Sequence, residues 1–184
     1  MPGESKPIVM LGLRCTGKST VGRLVADLLG RPFVDLDDEI AALASDRDME
    51  YDTVGEVLKA LGEPAFRQVE AEALSRTLQV NSDCVLATGG GVVELEKNRA
   101  LLGRRTVCVW LQAELDVLRE RMSADPTERP ALMGDDPIAE LDLLAERRNP
   151  WYRQLAALEI DSGSEDPGTL GDSVVEQLEK RELA

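Results

Sequence analysis

The stretch Gly12-Leu13-Arg14-Cys15-Thr16-Gly17-Lys18-Ser19-Thr20, placed directly after the apolar run Ile8-Val9-Met10-Leu11, constrains this chain more than any other. A short buried-strand pattern, then G-x-x-x-x-G-K-S, then a helical pattern is a phosphate-binding P-loop in the context it requires. Gly12 and Gly17 permit backbone conformations that let successive N–H groups turn inward on a phosphate. Lys18 places a point charge on the β- and γ-phosphates. Ser19 offers a hydroxyl to Mg2+ at the amino end of the helix, where the dipole also favours an anion. Nucleotide contacts are therefore expected at Gly12, Cys15, Thr16, Gly17, Lys18, Ser19 and Thr20, with Lys18 also catalytic. The competing reading is an ordinary glycine-rich turn with a solvated lysine; it leaves the coincidence of strand, motif and helix unexplained.

With 184 residues, 43% of them hydrophobic, the chain is expected to form one domain. A net charge of −14 without a single histidine supplies no basic footprint, so neither nucleic acid nor an anionic membrane surface is an expected partner. Ser-His and Cys-His pairs cannot be built, and any proton transfer falls to carboxylates or water. Cys15, Cys84 and Cys108 are spaced like neither a disulfide framework nor a zinc site. Buried thiols, a chain without a charged-then-apolar leader and no apolar run of membrane-span length point to a cytoplasmic protein.

Strand patterns fall at 8–11, 32–37, 84–88, 106–111 and 158–161. Helical spacing falls at 18–29, closed by Gly30, and at 54–61, 64–78, 114–122, 138–148 and 170–178, with Asn149-Pro150 interrupting the chain after the fifth of these. Strands alternating with helices predict a three-layer α/β/α fold around a five-stranded parallel sheet. Between 38 and 82 there is no strand, so a helical insertion follows the second strand and can wall off a second substrate beside the phosphate site. Asp35 and Asp37 arrive at the carboxyl end of that strand, where open α/β sheets bind ligands, although capping of the next helix competes as their role. Gly89-Gly90-Gly91 ends the third strand and either permits close backbone approach to a ligand or makes a loose turn. Residues 123–137, with three prolines and Arg129 in their midst, are either a disordered link or a lid that brings charge over a nucleotide.

Taken together, the motifs resemble one family. Gly12 to Thr20, Phe33-Val34-Asp35-Leu36-Asp37, Gly62-Glu63-Pro64-Ala65-Phe66-Arg67, Gly89-Gly90-Gly91, Arg129-Pro130 and Arg148-Asn149-Pro150-Trp151-Tyr152 stand in the order and approximate spacing of shikimate kinases, over Ile8 to about Leu178. The resemblance implies a nucleoside monophosphate kinase-like P-loop fold with a core, an acceptor-binding helical region at about 38–81 and a lid at about 123–137. It implies ATP and shikimate as small-molecule substrates, Mg2+ as cofactor and a monomer. It also implies site roles: Asp37 contacts the reacting hydroxyl, and Asp35 helps Ser19 to hold Mg2+. Arg67 and Arg148 bind the substrate carboxylate, Gly89, Gly90 and Gly91 line the substrate, and Arg129 is a catalytic contact to ATP. Two planar guanidinium groups would select an acid over a neutral polyol.

The chain departs from the family pattern at four places. Cys15 replaces a common glycine, and Leu58 replaces a usual aromatic. Residues 45–52 lack the G-x-S-I element, and the Ser164-Glu165 turn lacks a basic residue that some members set against adenine. Arg121, just before the lid, has no assigned role. Two alternatives stay open: another small-molecule kinase of this fold, such as a gluconate kinase, and a non-catalytic kinase-like nucleotide-binding module.

Overall fold

Strand β1, Ile8–Leu11, sends Ile8 and Met10 to one face and Val9 and Leu11 to the other, and all four are fully buried. A strand apolar on both faces belongs in the middle of a sheet covered on both sides. The computed structural model describes residues 5–45, 50–124 and 138–184. In it, β1, β2 (Phe33–Asp35), β3 (Val85–Ala87), β4 (Val107–Gln112) and β5 (Ala156–Asp161) form one five-stranded, all-parallel sheet in the order β2-β3-β1-β4-β5. On the Ile8 and Met10 face pack α1 (Lys18–Leu29) and α8 (Pro167–Lys180). On the Val9 and Leu11 face pack α2 (Leu36–Ser45), α3 (Val54–Leu61), α4 (Glu63–Val80), α5 (Glu96–Arg105), α6 (Leu115–Ala124) and α7 (Leu141–Leu155). After β1 the chain runs to the sheet edge at β2, returns to β3 beside β1, and then crosses to β4 on the other side. The crevice above the carboxyl ends of the adjacent strands β1 and β3, whose connecting helices α1 and α5 lie on opposite faces, is where such sheets take ligands.

Local chemistry sets the helix ends. Gly30 closes α1 in the left-handed conformation at φ 64°, its N–H donating toward the Ala26 and Asp27 carbonyls. Thr53 and Glu56 form a reciprocal capping box at α3, and Pro64 sits in the first turn of α4. Asp166 caps α8 by accepting from the amides of Gly168 and Thr169.

Three differences from the sequence expectation have physical causes. β2 stops at Asp35, so Asp37 lies in the first turn of α2 and not in a strand. Helix α5 was not foreseen, because Glu96–Arg105 has only Leu101 and Leu102 to mark an apolar face and therefore almost no periodicity. Helix α7 runs through Pro150, which the sequence reading took as its end. Pro150 and Glu146, whose carbonyl loses its helical partner, are both on the exposed face, so water can serve that carbonyl. The turns that follow, Trp151 and Tyr152, are anchored in the core.

Candidate active site

The loop between β1 and α1 is shaped by three residues with positive φ: Gly12 at 144°, Cys15 at 61° and Gly17 at 89°. Gly12 is required sterically as well, since a side chain there would run into the Leu111 carbonyl of β4. Cys15 occupies the left-handed region that favours glycine, at a cost of about 1 kcal/mol. The Leu13 carbonyl accepts from both Thr16 Oγ1 at 2.9 Å and Lys18 Nζ at 2.7 Å, holding the lysine over its own loop. Ser19 Oγ donates to Asp35 Oδ2 at 2.7 Å, while Asp35 Oδ1 accepts from the Asp37 amide at 3.1 Å. Asp35 thus caps α2 and reaches the P-loop at once. Two hard oxygen donors side by side suit Mg2+, which takes one or two protein ligands and completes its shell from phosphate and water.

From Lys18 and Ser19 a cavity of about 520 Å3 extends past Asp37 to Arg67, Glu70 and Arg148. Its floor is the glycine turn after β3. Each glycine abuts different side chains: Gly89 faces Asp37 and Glu70, Gly90 faces Arg148 and the Tyr152 hydroxyl, and a side chain at Gly91 would collide with the Arg67 guanidinium. Tyr152 donates its hydroxyl to the Gly90 carbonyl, which fixes the turn against α7.

Arg67 is 7% exposed and Arg148 4%. Arg67 pairs with Glu70 at 3.0 Å and with Glu63 at 3.3 Å, and Arg148 Nε with Glu94 at 2.8 Å. Yet Arg67 Nε and Arg148 Nη2, both buried, have no hydrogen-bond partner among the described residues. A buried donor without a partner costs about 1–3 kcal/mol, so these two nitrogens mark where an anion would be held most favourably. Burial works against the charge on Arg67, but Glu70 and Glu63 more than offset it and raise its pKa. Burial pushes the Glu70 carboxyl up to about 7; Arg67 draws it back and Asp37 adds to the push.

The structure therefore gathers Cys15, Gly17, Lys18, Ser19, Thr20, Asp35, Asp37, Arg67, the three glycines and Arg148 around one cleft, whereas Gly12 and Thr16 do not line it. Arg129 and most of the expected lid lie outside the described residues. Leu58, in place of an aromatic, lines the cavity wall. Arg121 donates to the carbonyls of Cys15 at 3.3 Å and Ser162 at 2.7 Å, joining α6 to the P-loop and to the turn after β5. The sequence reading missed Glu70 and Glu94. Glu70 was within reach, because a carboxylate three residues after Arg67 on a helix is a standard ion-pair spacing.

A family model described as shikimate kinase matches residues 14–179. The chain is 41% identical over 174 residues to a shikimate kinase from Symbiobacterium thermophilum, covering 94% of each. A shikimate kinase from Acinetobacter baumannii, solved in complex with shikimate, superposes with a TM-score of 0.84 at 29% identity, over 98% of this chain and 96% of that one. A gluconokinase from Sinorhizobium meliloti superposes at 0.60 with 17% identity over 97% and 98%, a likeness of fold alone. The P-loop, the paired arginines and the glycine turn between them thus occur within a match that spans almost the whole sequence, and the chain belongs to the shikimate kinase family.

Proposed function

We infer that this chain is a shikimate kinase, transferring the γ-phosphoryl group of ATP to the 3-hydroxyl of shikimate to give shikimate 3-phosphate and ADP. The observation that carries the reading is the pair of buried guanidinium groups at the acceptor end of the cleft, each with a nitrogen still to be satisfied. A carboxylate supplies the acceptor oxygens that both lack, and planar donors hold it in one orientation.

The roles follow from position. Arg67 and Arg148 hold the acid, and the turn at Gly89 to Gly91 supports the ring, with Gly90 as backbone contact. Asp37, between the arginines and the P-loop, orients the reacting hydroxyl and takes its proton as the bond to phosphorus forms; a loose transition state asks for little early deprotonation. Lys18 and the inward amides of the P-loop neutralise charge on the transferring group. Ser19 and Asp35 are the residues that would hold Mg2+, which when bound screens the β- and γ-phosphate oxygens. The helical region 38–81 forms the acceptor wall, and residues 123–137 serve as the lid that carries Arg129 toward ATP. A monomer in the reducing cytoplasm completes the reading: Cys84 and Cys108 are buried, and burial raises both thiols to about 11, which leaves them unreactive there. No helix among the described residues is long and apolar enough to cross a membrane.

The test is ADP release with Mg2+ and ATP, comparing shikimate, gluconate, nucleoside monophosphates and no acceptor. Release that depends on shikimate is expected. Release with gluconate or a nucleotide instead would redirect the pocket, and nucleotide binding without release for any acceptor would favour the binding module.

A further inference from the structure

Glu94 follows the glycine turn, and only 6% of its side chain is exposed. One carboxylate oxygen accepts from Arg148 Nε at 2.8 Å, and the other pairs with Arg147 Nη2 at 2.6 Å. The backbone beneath it is pinned. Its amide donates to the Gly91 carbonyl at 2.9 Å, and Arg99 donates to the carbonyls of Val93 at 2.6 Å and of Glu94 at 3.0 Å. Arg99 is itself stacked on Trp151 of α7, 4.5 Å from the ring centroid. A buried carboxylate costs several kcal/mol of desolvation unless its charge is met, and here two arginines meet it.

The geometry has a directional consequence. Glu94 grips the Nε edge of Arg148, so the Nη nitrogens are what remain for a ligand; Nη1 lies beside Gly90, and Nη2 has no partner among the described residues. A long side chain left to itself samples many orientations, whereas a two-point grip on a carboxylate needs one. Arg147, half exposed, meets the second oxygen, so Glu94 does not cancel the charge that Arg148 offers to an anion.

We propose that Glu94 is a positioning residue of the acceptor site: it locks the Nε edge of Arg148 against the glycine turn, and so fixes the guanidinium plane that receives the substrate carboxylate. The proposal rests on Arg148 as a carboxylate-binding residue.

Steady-state kinetics of Glu94→Ala, Glu94→Asp, Glu94→Gln, Arg148→Lys and the double variant Glu94→Ala/Arg148→Lys test it. Loss of one charge-assisted grip is expected to raise the KM for shikimate about tenfold in Glu94→Ala, with the KM for ATP unchanged within about twofold. Glu94→Asp keeps the charge but is too short to reach Nε, and it is expected to behave alike; it carries the test should the alanine variant not fold. Glu94→Gln retains an oxygen for Nε and is expected to recover most of the loss. If Glu94 acts through Arg148, the double variant is no worse than Arg148→Lys by more than about twofold. An unchanged KM for shikimate in both Glu94→Ala and Glu94→Asp would overturn the proposal, as would an equal rise in both KM values or full additivity in the double variant. An Arg148→Lys enzyme with normal shikimate KM would instead remove Arg148 from the site, and Glu94 with it.

Discussion

Asp37 lies in the first turn of α2 with its carboxylate beside Gly89, in the cleft that the P-loop shares with Arg67 and Arg148. Replacing it with asparagine keeps the shape and removes the proposed proton acceptor, so turnover should fall about a hundredfold with the KM for ATP kept, as steady-state assays would show. A matching loss in ATP binding would place Asp37 on the nucleotide instead. Glu70 makes a different prediction. Its folded-state pKa of about 7 lies above the ordinary 4.5, so the stability it contributes is full below about 4.5 and is lost as pH rises through about 7. Denaturation of the wild type and Glu70→Gln at pH 5 and pH 8 should therefore show the wild type losing more stability between the two. These residues also show what a sequence can carry. Lys18 and Asp37 sit in local motifs and were legible as candidates, whereas Arg67 was named from the family pattern. Glu94 was not, since its partner Arg148 is 54 positions away and only the packing of α7 on the glycine turn brings the two together. Arg148 itself was named from the family pattern, while its uncommitted nitrogen was visible only in three dimensions.

Among the elements, strongly patterned ones were legible and weakly patterned ones were not. Val21 and Val25 at helical spacing, closed by Gly30, marked α1, and short apolar or alternating patterns marked all five strands. Helix α5 has too few apolar residues to show a period. In α7 a local rule failed because tertiary anchoring outweighed it: Trp151 and Tyr152 beyond the proline pack into the core. That proline should still cost stability, so Pro150→Ala, which restores an N–H to the Glu146 carbonyl, is expected to stabilise the protein by about 1–2 kcal/mol in urea denaturation. The glycine turn makes the opposite prediction. Gly91→Ala would drive its methyl into Arg67, and the KM for shikimate should rise by about a hundredfold or more while nucleotide binding, measured by titration calorimetry, stays close to normal.

On the scale of the whole molecule, the hydrogen bond from Ser19 to Asp35 joins the nucleotide half of the cleft to the helix that carries Asp37. Ordering of one half then favours the other. Titration calorimetry should find shikimate bound at least about fivefold more tightly when ATP without Mg2+ is present, and ATP tightened by the same factor in the reverse order. Independent binding would break that link. The charge of −14 is a property of the surface at large, and the acceptor end of the cleft is set apart from it by Arg67 and Arg148. The three glycines have a consequence for how that pocket persists. Asp37, Arg67 and Arg148 come from α2, α4 and α7, yet each is gauged against the same tripeptide, as parts in a machine are measured from one datum face. An error in the placing of one helix is then not passed to the other two. The walls between them, such as Leu58 on α3, can drift in sequence while the three working groups keep their registration.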